Sequence, residues 1–170
     1  MARLKMELPT ELIKQYGTLE KTSEEVFGKM SKAGAEVVYK NIKSNMGNAF
    51  KGDTKSKMEA GLKITKTYKS PKKGSIGNFV GFYGYIPFSD SNRKYFARRG
   101  ANGTVYKTEK GVPRDFLAQL YEYGSNEKGI SGSRFIKKSC NKKEVEQAMQ
   151  DVLDKEIEKV IKWTKNWNLY

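Results

Sequence analysis

The sequence predicts an α+β fold, with long amphipathic helices at the N- and C-terminal ends packed on a small antiparallel β-sheet, an inserted β-hairpin arm and a flexible loop. Three observations carry this expectation. An apolar stripe recurs at near-heptad spacing from Leu12 to Ile42, a second runs from Val145 to Trp167, and between them GLKITKTYK and IGNFVGFYGYI flank the turn SPKKGS. The 170 residues suit one domain, 1–170, able to bury a core. Apolar residues make up 37% and charged residues 31%, a low apolar share for a globular domain. Elongated helices, exposed arms or an interface completed by neighbouring copies would each explain it.

The first helical region covers residues 8–46 and opens on Pro9-Thr10-Glu11, which places an acid near the positive helix end. Leu12, Tyr16, Leu19, Val26, Met30, Ala33, Val37 and Ile42 form its stripe, interrupted by Gly17, Gly28 and Gly34. Each glycine costs a helix interior about 1 kcal/mol, so one bent helix and two helices broken near Gly28 or Ser31 both fit. The polar run after Met46-Gly47-Asn48, to Lys57, reads as a loop. Residues 61–86 then form a β-hairpin, in which Leu62 and Ile64 alternate with polar partners. Gly77, Gly81 and Gly84 imitate a phosphate loop, but the spacing is wrong and no helix start follows; a twisted or bulged strand is the better assignment.

Residues 87–112 are too long for a structureless loop inside a compact domain. RKYFARR and TVYK around Gly100-Ala101-Asn102-Gly103 predict an inserted basic hairpin or loop, whose Arg93, Lys94, Tyr95, Phe96, Arg98, Arg99, Tyr106 and Lys107 mix charge with aromatic rings. Protein contact, an ordinary surface hairpin and stacking on nucleic acid are all open to such an arm. Residues 113–124 predict a short helix started by Pro113 and ended by Gly124. Residues 125–133 are flexible by composition, and 134–167 form the C-terminal helical region, with Asn141 and Glu144 as a capping box. Val145, Met149, Val152, Leu153, Ile157, Val160, Ile161 and Trp167 supply its stripe, and Glu156 with Lys159 and Glu158 with Lys162 its outer charge pairs.

Composition narrows the function. The net charge is +14, and between Lys51 and Gly74 eight lysines face only Asp53 and Glu59, whereas Asn141 to Lys162 holds five lysines against six acids. Lys63, Lys66, Lys69, Lys72 and Lys73 make a basic face, which a solvated surface or contact with phosphates would equally explain. There is no histidine, so the commonest general base and metal ligand are missing. Cys140 is the only cysteine and reads as a half-buried structural thiol. The acids cluster on the terminal helix beside lysines, as on a solvated face. No enzyme, cofactor or metal site is expected. No apolar run approaches the ~18 residues of a membrane span, and MARLKMELPTEL lacks the apolar segment of a signal peptide. A soluble intracellular chain without a membrane partner is the expectation.

The order of a long amphipathic helix, GLKITKTYK with VGFYGY, then LYEYGS, a variable loop and RFIKKS before a last helix, resembles a bacteriophage family. Its members are small tail-component proteins of tailed phages, described as neck, tail-completion or head-to-tail joining proteins. Tyr121, Glu122, Tyr123, Gly124 and Ser125 look like the first half of the family's most recognisable motif, and Phe135, Ile136 and Lys137 like the second, although Arg134 stands where the family usually has proline. The resemblance covers residues 8–86 and 113–162. It implies a non-catalytic virion structural protein, made in the bacterial host cytoplasm and placed at the head-to-tail junction. Its partners would be copies of itself in a six- or twelve-fold ring, a head-completion or adaptor protein, and tail tube or tail terminator proteins, with non-specific contact to genomic DNA in the channel. A tail terminator or tail-completion ring capping the tail tube is the alternative within the family, and a DNA-associated basic protein the alternative outside it. The expected interface residues are Arg93, Tyr95, Phe96, Arg98, Arg99, Tyr106, Tyr121, Tyr123, Gly124, Arg134 and Phe135. Tyr121, Tyr123 and Phe135 would hold the ends of the 125–133 loop while its middle adapts to an adjoining ring or tail.

Overall fold

The computed structural model describes residues 10–70, 75–88, 96–99 and 105–167, with backbone only over 10–21, 98–99, 105–107 and 160–167. The α+β class holds. The chain runs α1 (Thr10–Asn45), α2 (Gly52–Glu59), β1 (Leu62–Ile64), β2 (Tyr68–Lys69), β3 (Ile76–Gly77), β4 (Val80–Phe82), β5 (Tyr85–Ile86), β6 (Phe96–Arg99), β7 (Val105–Thr108), β8 (Val112–Pro113), α3 (Arg114–Tyr123), β9 (Gly124–Ser125), β10 (Ile130–Ser131), α4 (Phe135–Ser139) and α5 (Lys142–Trp167). The strands pair as antiparallel two-stranded ladders, β1 with β4, β2 with β3, β5 with β8, β6 with β7 and β9 with β10, instead of joining one sheet.

α1 is one uninterrupted helix of 36 residues, despite its glycines, because tertiary contact uses them. A Cβ at Gly34 would stand 3.1 Å from Val145 Cγ1 and 3.3 Å from Met149 Sδ of α5, so Gly34 marks where the two helices lie closest. They run antiparallel, with Asn41 against Glu144 at one end and Lys29 against Glu156 further along. α5 starts at the expected N-cap, Asn141, but without the reciprocal backbone bonds of a capping box. Asn141 Oδ1 accepts from the Lys143 N–H at 3.2 Å, and the Asn141 amide donates to Glu144 at 2.8 Å. Asn41 donates to the other Glu144 oxygen at 2.8 Å, and Asn45 to Ser139 Oγ at 3.0 Å, which fastens the α4–α5 corner to α1.

The core gathers Ile42, Met46, Phe50, Met58, Leu62, Ala118 and Phe135 where α1 ends, with Val80, Phe82, Ile86 and Leu117 packed around it. Met58 explains a correction. The polar run before Lys57, read as a loop, contains α2, whose buried Met58 is its one full anchor in the core. Its other support is the i,i+4 pairs Asp53–Lys57 at 2.5 Å and Lys55–Glu59 at 3.8 Å.

The 61–86 hairpin is present and bulged, on the strand opposite the glycine-rich one. Between the β1–β4 and β2–β3 ladders, Thr65, Lys66 and Thr67 oppose only Asn78 and Phe79. The polar side chains there satisfy the interrupted backbone: Asn78 Nδ2 donates to Thr65 O at 2.9 Å, and Thr65 Oγ1 accepts from the Phe79 N–H at 2.8 Å. The inserted hairpin is the β6–β7 ladder, carried beyond the short β5–β8 pair. Residues 125–133, read as a flexible loop, hold one strand residue at Ser125, a 3-10 turn over Asn126–Lys128 and β10.

Candidate functional site

The two halves of the YEYGS…RFI motif close on each other around a buried carboxylate. Glu122, 4% exposed on α3, accepts from the Ile136 N–H at 2.7 Å through Oε2 and from the Lys137 N–H at 3.1 Å through Oε1. Two of the first-turn N–H groups of α4, which no residue of that helix can satisfy, are thus capped from another helix. Hydrogen bonds to a charged acceptor are worth about 1.5–3 kcal/mol each, which offsets the cost of burying the carboxylate. The loop between the halves is stitched shut by the Ser133 N–H and Oγ, both donating to Tyr121 O at 2.8 and 2.9 Å, and by the Arg134 N–H to Glu122 O at 3.2 Å. Gly124 turns at φ 82°, and a Cβ there would meet Ile130 O at 2.7 Å, so only glycine leaves room for the returning strand.

Arg134 is the one non-glycine residue with positive φ among the described residues, at 55°. Proline, held near −65° and lacking an N–H, fits neither that dihedral nor the hydrogen bond to Glu122 O. The entry into α4 is therefore left-handed, a conformation that proline could not supply. The Arg134 guanidinium lies 5.4 Å from the centre of the Tyr123 ring, at the distance of a cation–π contact.

The expected interface residues divide sharply. Phe135 is fully buried against Phe50 and Phe82, and Tyr121 packs at 4.6 Å on Phe50. Phe135 belongs to the core, which leaves it no surface for a neighbouring copy, while Tyr121 is half-buried against that core. Tyr123 is 68% exposed and Arg134 exposed. The Phe96 ring packs on Phe116 at 4.9 Å, fastening the root of the inserted hairpin to α3. The Arg98, Arg99 and Tyr106 side chains, and Arg93 and Tyr95 altogether, lie outside the described residues.

Of the basic face, three lysines are described. Lys63, Lys66 and Lys69 are exposed, Lys69 pairs with Glu24 on α1, and Lys72 and Lys73 lie outside the described residues. Cys140, the residue that ends α4, is exposed, against the expectation of a half-buried thiol.

Sequence reasoning missed two organising residues. Glu122 was visible only as a motif acid; a lone acid before a Gly-Ser pair carries no sign of burial. Arg114 donates from Nε to Lys57 O at 2.8 Å and from its guanidinium to Tyr83 O at 2.9 Å, joining the end of α2 to the end of β4. Among the described residues, no group of three or more His, Cys, Asp or Glu is arranged to hold a metal ion, and no helix is long and apolar enough to cross a membrane. Compared with protein-family models, curated proteins and solved structures, the chain matches none.

Proposed function

We propose that the chain is a structural, non-catalytic subunit of a tailed-phage particle that forms a ring with its own copies at the head-to-tail junction and links the portal complex to the tail. The observation that supports this most is the closure of YEYGS on RFI through Glu122. The residues that carry the sequence resemblance are those that build this corner of the fold. Tyr123, Phe27 and Ile157, at 68%, 53% and 46% exposure, add apolar surface of the kind an assembled subunit covers.

The test is location and loss. Gold-labelled antibody on intact particles is expected to mark the junction between head and tail, and deleting the gene is expected to leave filled heads and finished tails unjoined. Label on the tail tube end of free tails would move the chain to the terminator position. Particles that assemble normally without it overturn the proposal.

A further inference from the structure

The hairpin has two unlike sides. Leu62, Val80 and Phe82 point to the core. The opposite side shows Tyr68, Phe79, Tyr83 and Tyr85, at 40%, 58%, 44% and 37% exposure. Their rings lie down along the strands, because glycines leave the space. The Tyr68 ring covers Gly77 and stacks on Phe79 at 4.9 Å and 10°, and the Tyr83 ring covers Gly81 at 3.5 Å. Lys63, the cross-strand partner of Gly81, stands on this side, and Lys110 Nζ sits 6.0 Å from the Tyr85 ring centre. Residues 61–88 contain no acid, with Glu59 and Asp90 just outside them, and Lys63 and Lys66 are exposed. The side is flat, aromatic and positive.

A second surface on the same chain complements it. α5 turns Val145, Met149, Val152 and Glu156 towards α1, so Gln147, Asp151, Asp154 and Glu158, spaced by the helical repeat, stand on its far side. Asp151, Asp154 and Glu158 are exposed, and the first two are held in place by Gln147 and Gln150, each at 2.8 Å. Ile157, 46% exposed, borders the stripe. This side is negative with an apolar margin.

We infer that the aromatic, lysine-bearing side of the 62–86 hairpin docks on the acidic far side of α5 in a second copy of this chain. The inference rests on the ring reading above and names the contact that would repeat around it. Two different patches that fit each other, and not themselves, generate a head-to-tail contact, which closes into a ring if the rotation allows. Exposed tyrosine and phenylalanine are the residues on which such contacts concentrate their energy, and opposite charges fix the register. Single-stranded nucleic acid would also stack on the rings, but would leave the acidic, Ile157-bordered stripe without a use.

The test compares the mass in solution of the wild-type chain with that of Lys63→Glu/Lys66→Glu, Asp151→Lys/Asp154→Lys, the four combined, and Phe79→Ser. Every altered side chain is exposed, and circular dichroism melting checks that each variant keeps its fold. The wild type is expected to associate with rising concentration, each double variant to lose at least about tenfold in association, the fourfold variant to regain most of it, and Phe79→Ser to stay monomeric. A wild type that stays monomeric at every concentration overturns the inference, while the location of the protein in particles still decides the ring reading. Association unchanged in all variants overturns the docking contact alone. Retention of oligothymidine that Phe79→Ser abolishes, without any change in mass, assigns the face to nucleic acid and also overturns it.

Discussion

The two ends of the α1–α5 pair obey the same amphipathic pattern and end in different states. Near Asn41 and Glu144, a third layer made of α2, the hairpin and α3 closes over the helices, and seven core residues are no more than 4% exposed. Along residues 22–33 of α1 and 150–159 of α5, no described side chain is buried, and Lys29–Glu156 at 3.0 Å is the clearest tie across. Two helices bury one stripe each and no more, so periodicity alone does not make a core. A stalk of this kind gains little from exposed ion pairs, which are worth about 0–1 kcal/mol, and has apolar surface left to give to a partner.

The sharpest way to break the comparison is to truncate one residue at each end. Phe135→Ala in the closed end is expected to cost about 3–5 kcal/mol, and Val152→Ala, half-buried in the stalk, a small fraction of that. Urea unfolding of both variants measures the difference, and equal losses would mean that the stalk is as integral to the core as the head. Next in size is the α4 corner. Arg134→Pro cannot keep a φ of 55° and is expected to destabilise by about 1–3 kcal/mol. Glu122→Ala, which leaves two part-buried N–H groups of α4 without their acceptor, should cost about 1–3 kcal/mol at most, with Glu122→Gln milder because one acceptor oxygen remains. Thermal melts separate the three.

Much of the head was legible because its signals are local. The N-cap at Asn141, the stop at Gly124 and the paired strands around SPKKGS each depend on a few neighbouring residues, and each stands where it was expected. α2 was not legible, since one methionine in eight residues gives no periodicity; its helix is decided by what Met58 touches. The same holds for Phe135 and Tyr121. An aromatic residue beside a mobile-looking loop reads as an exposed anchor, and only the distant Phe50 shows Phe135 to be core and Tyr121 to pack against it. Ile157 erred the other way: it fits the stripe by spacing, yet Glu156 takes the α1-facing position because Lys29 and Lys159, at 3.0 and 2.8 Å, receive its carboxylate. Charge pairing overrode hydrophobicity where no third layer was present to reward burial.

That substitution makes the stalk respond to pH in a way the head should not. Hydrogen bonds from Lys159 and then Lys29 hold the Glu156 carboxyl below the ordinary glutamate value. A carboxylate with a lowered folded-state pKa contributes stability that is fully present above the unfolded value and is lost as pH falls through the lowered folded one. Acidification below the usual glutamate range, about 4, should therefore loosen the pairing of residues 22–33 with 150–159 while the Phe50–Phe135 core stays closed. Amide hydrogen exchange read at Met30 and Val152 against Met58 and Ala118 follows both ends at once. The stalk amides are expected to lose protection first, and Glu156→Gln, which keeps the shape but cannot ionise, should flatten that pH response and leave the head amides unchanged. The effect is the smallest of the set, because Lys29 and Lys159 are more than half exposed at their side chains and salt screens such pairs. Its value lies in its direction: simultaneous loss of protection at both ends would show one cooperative unit, and the contrast between a closed head and a thinly packed stalk would not stand.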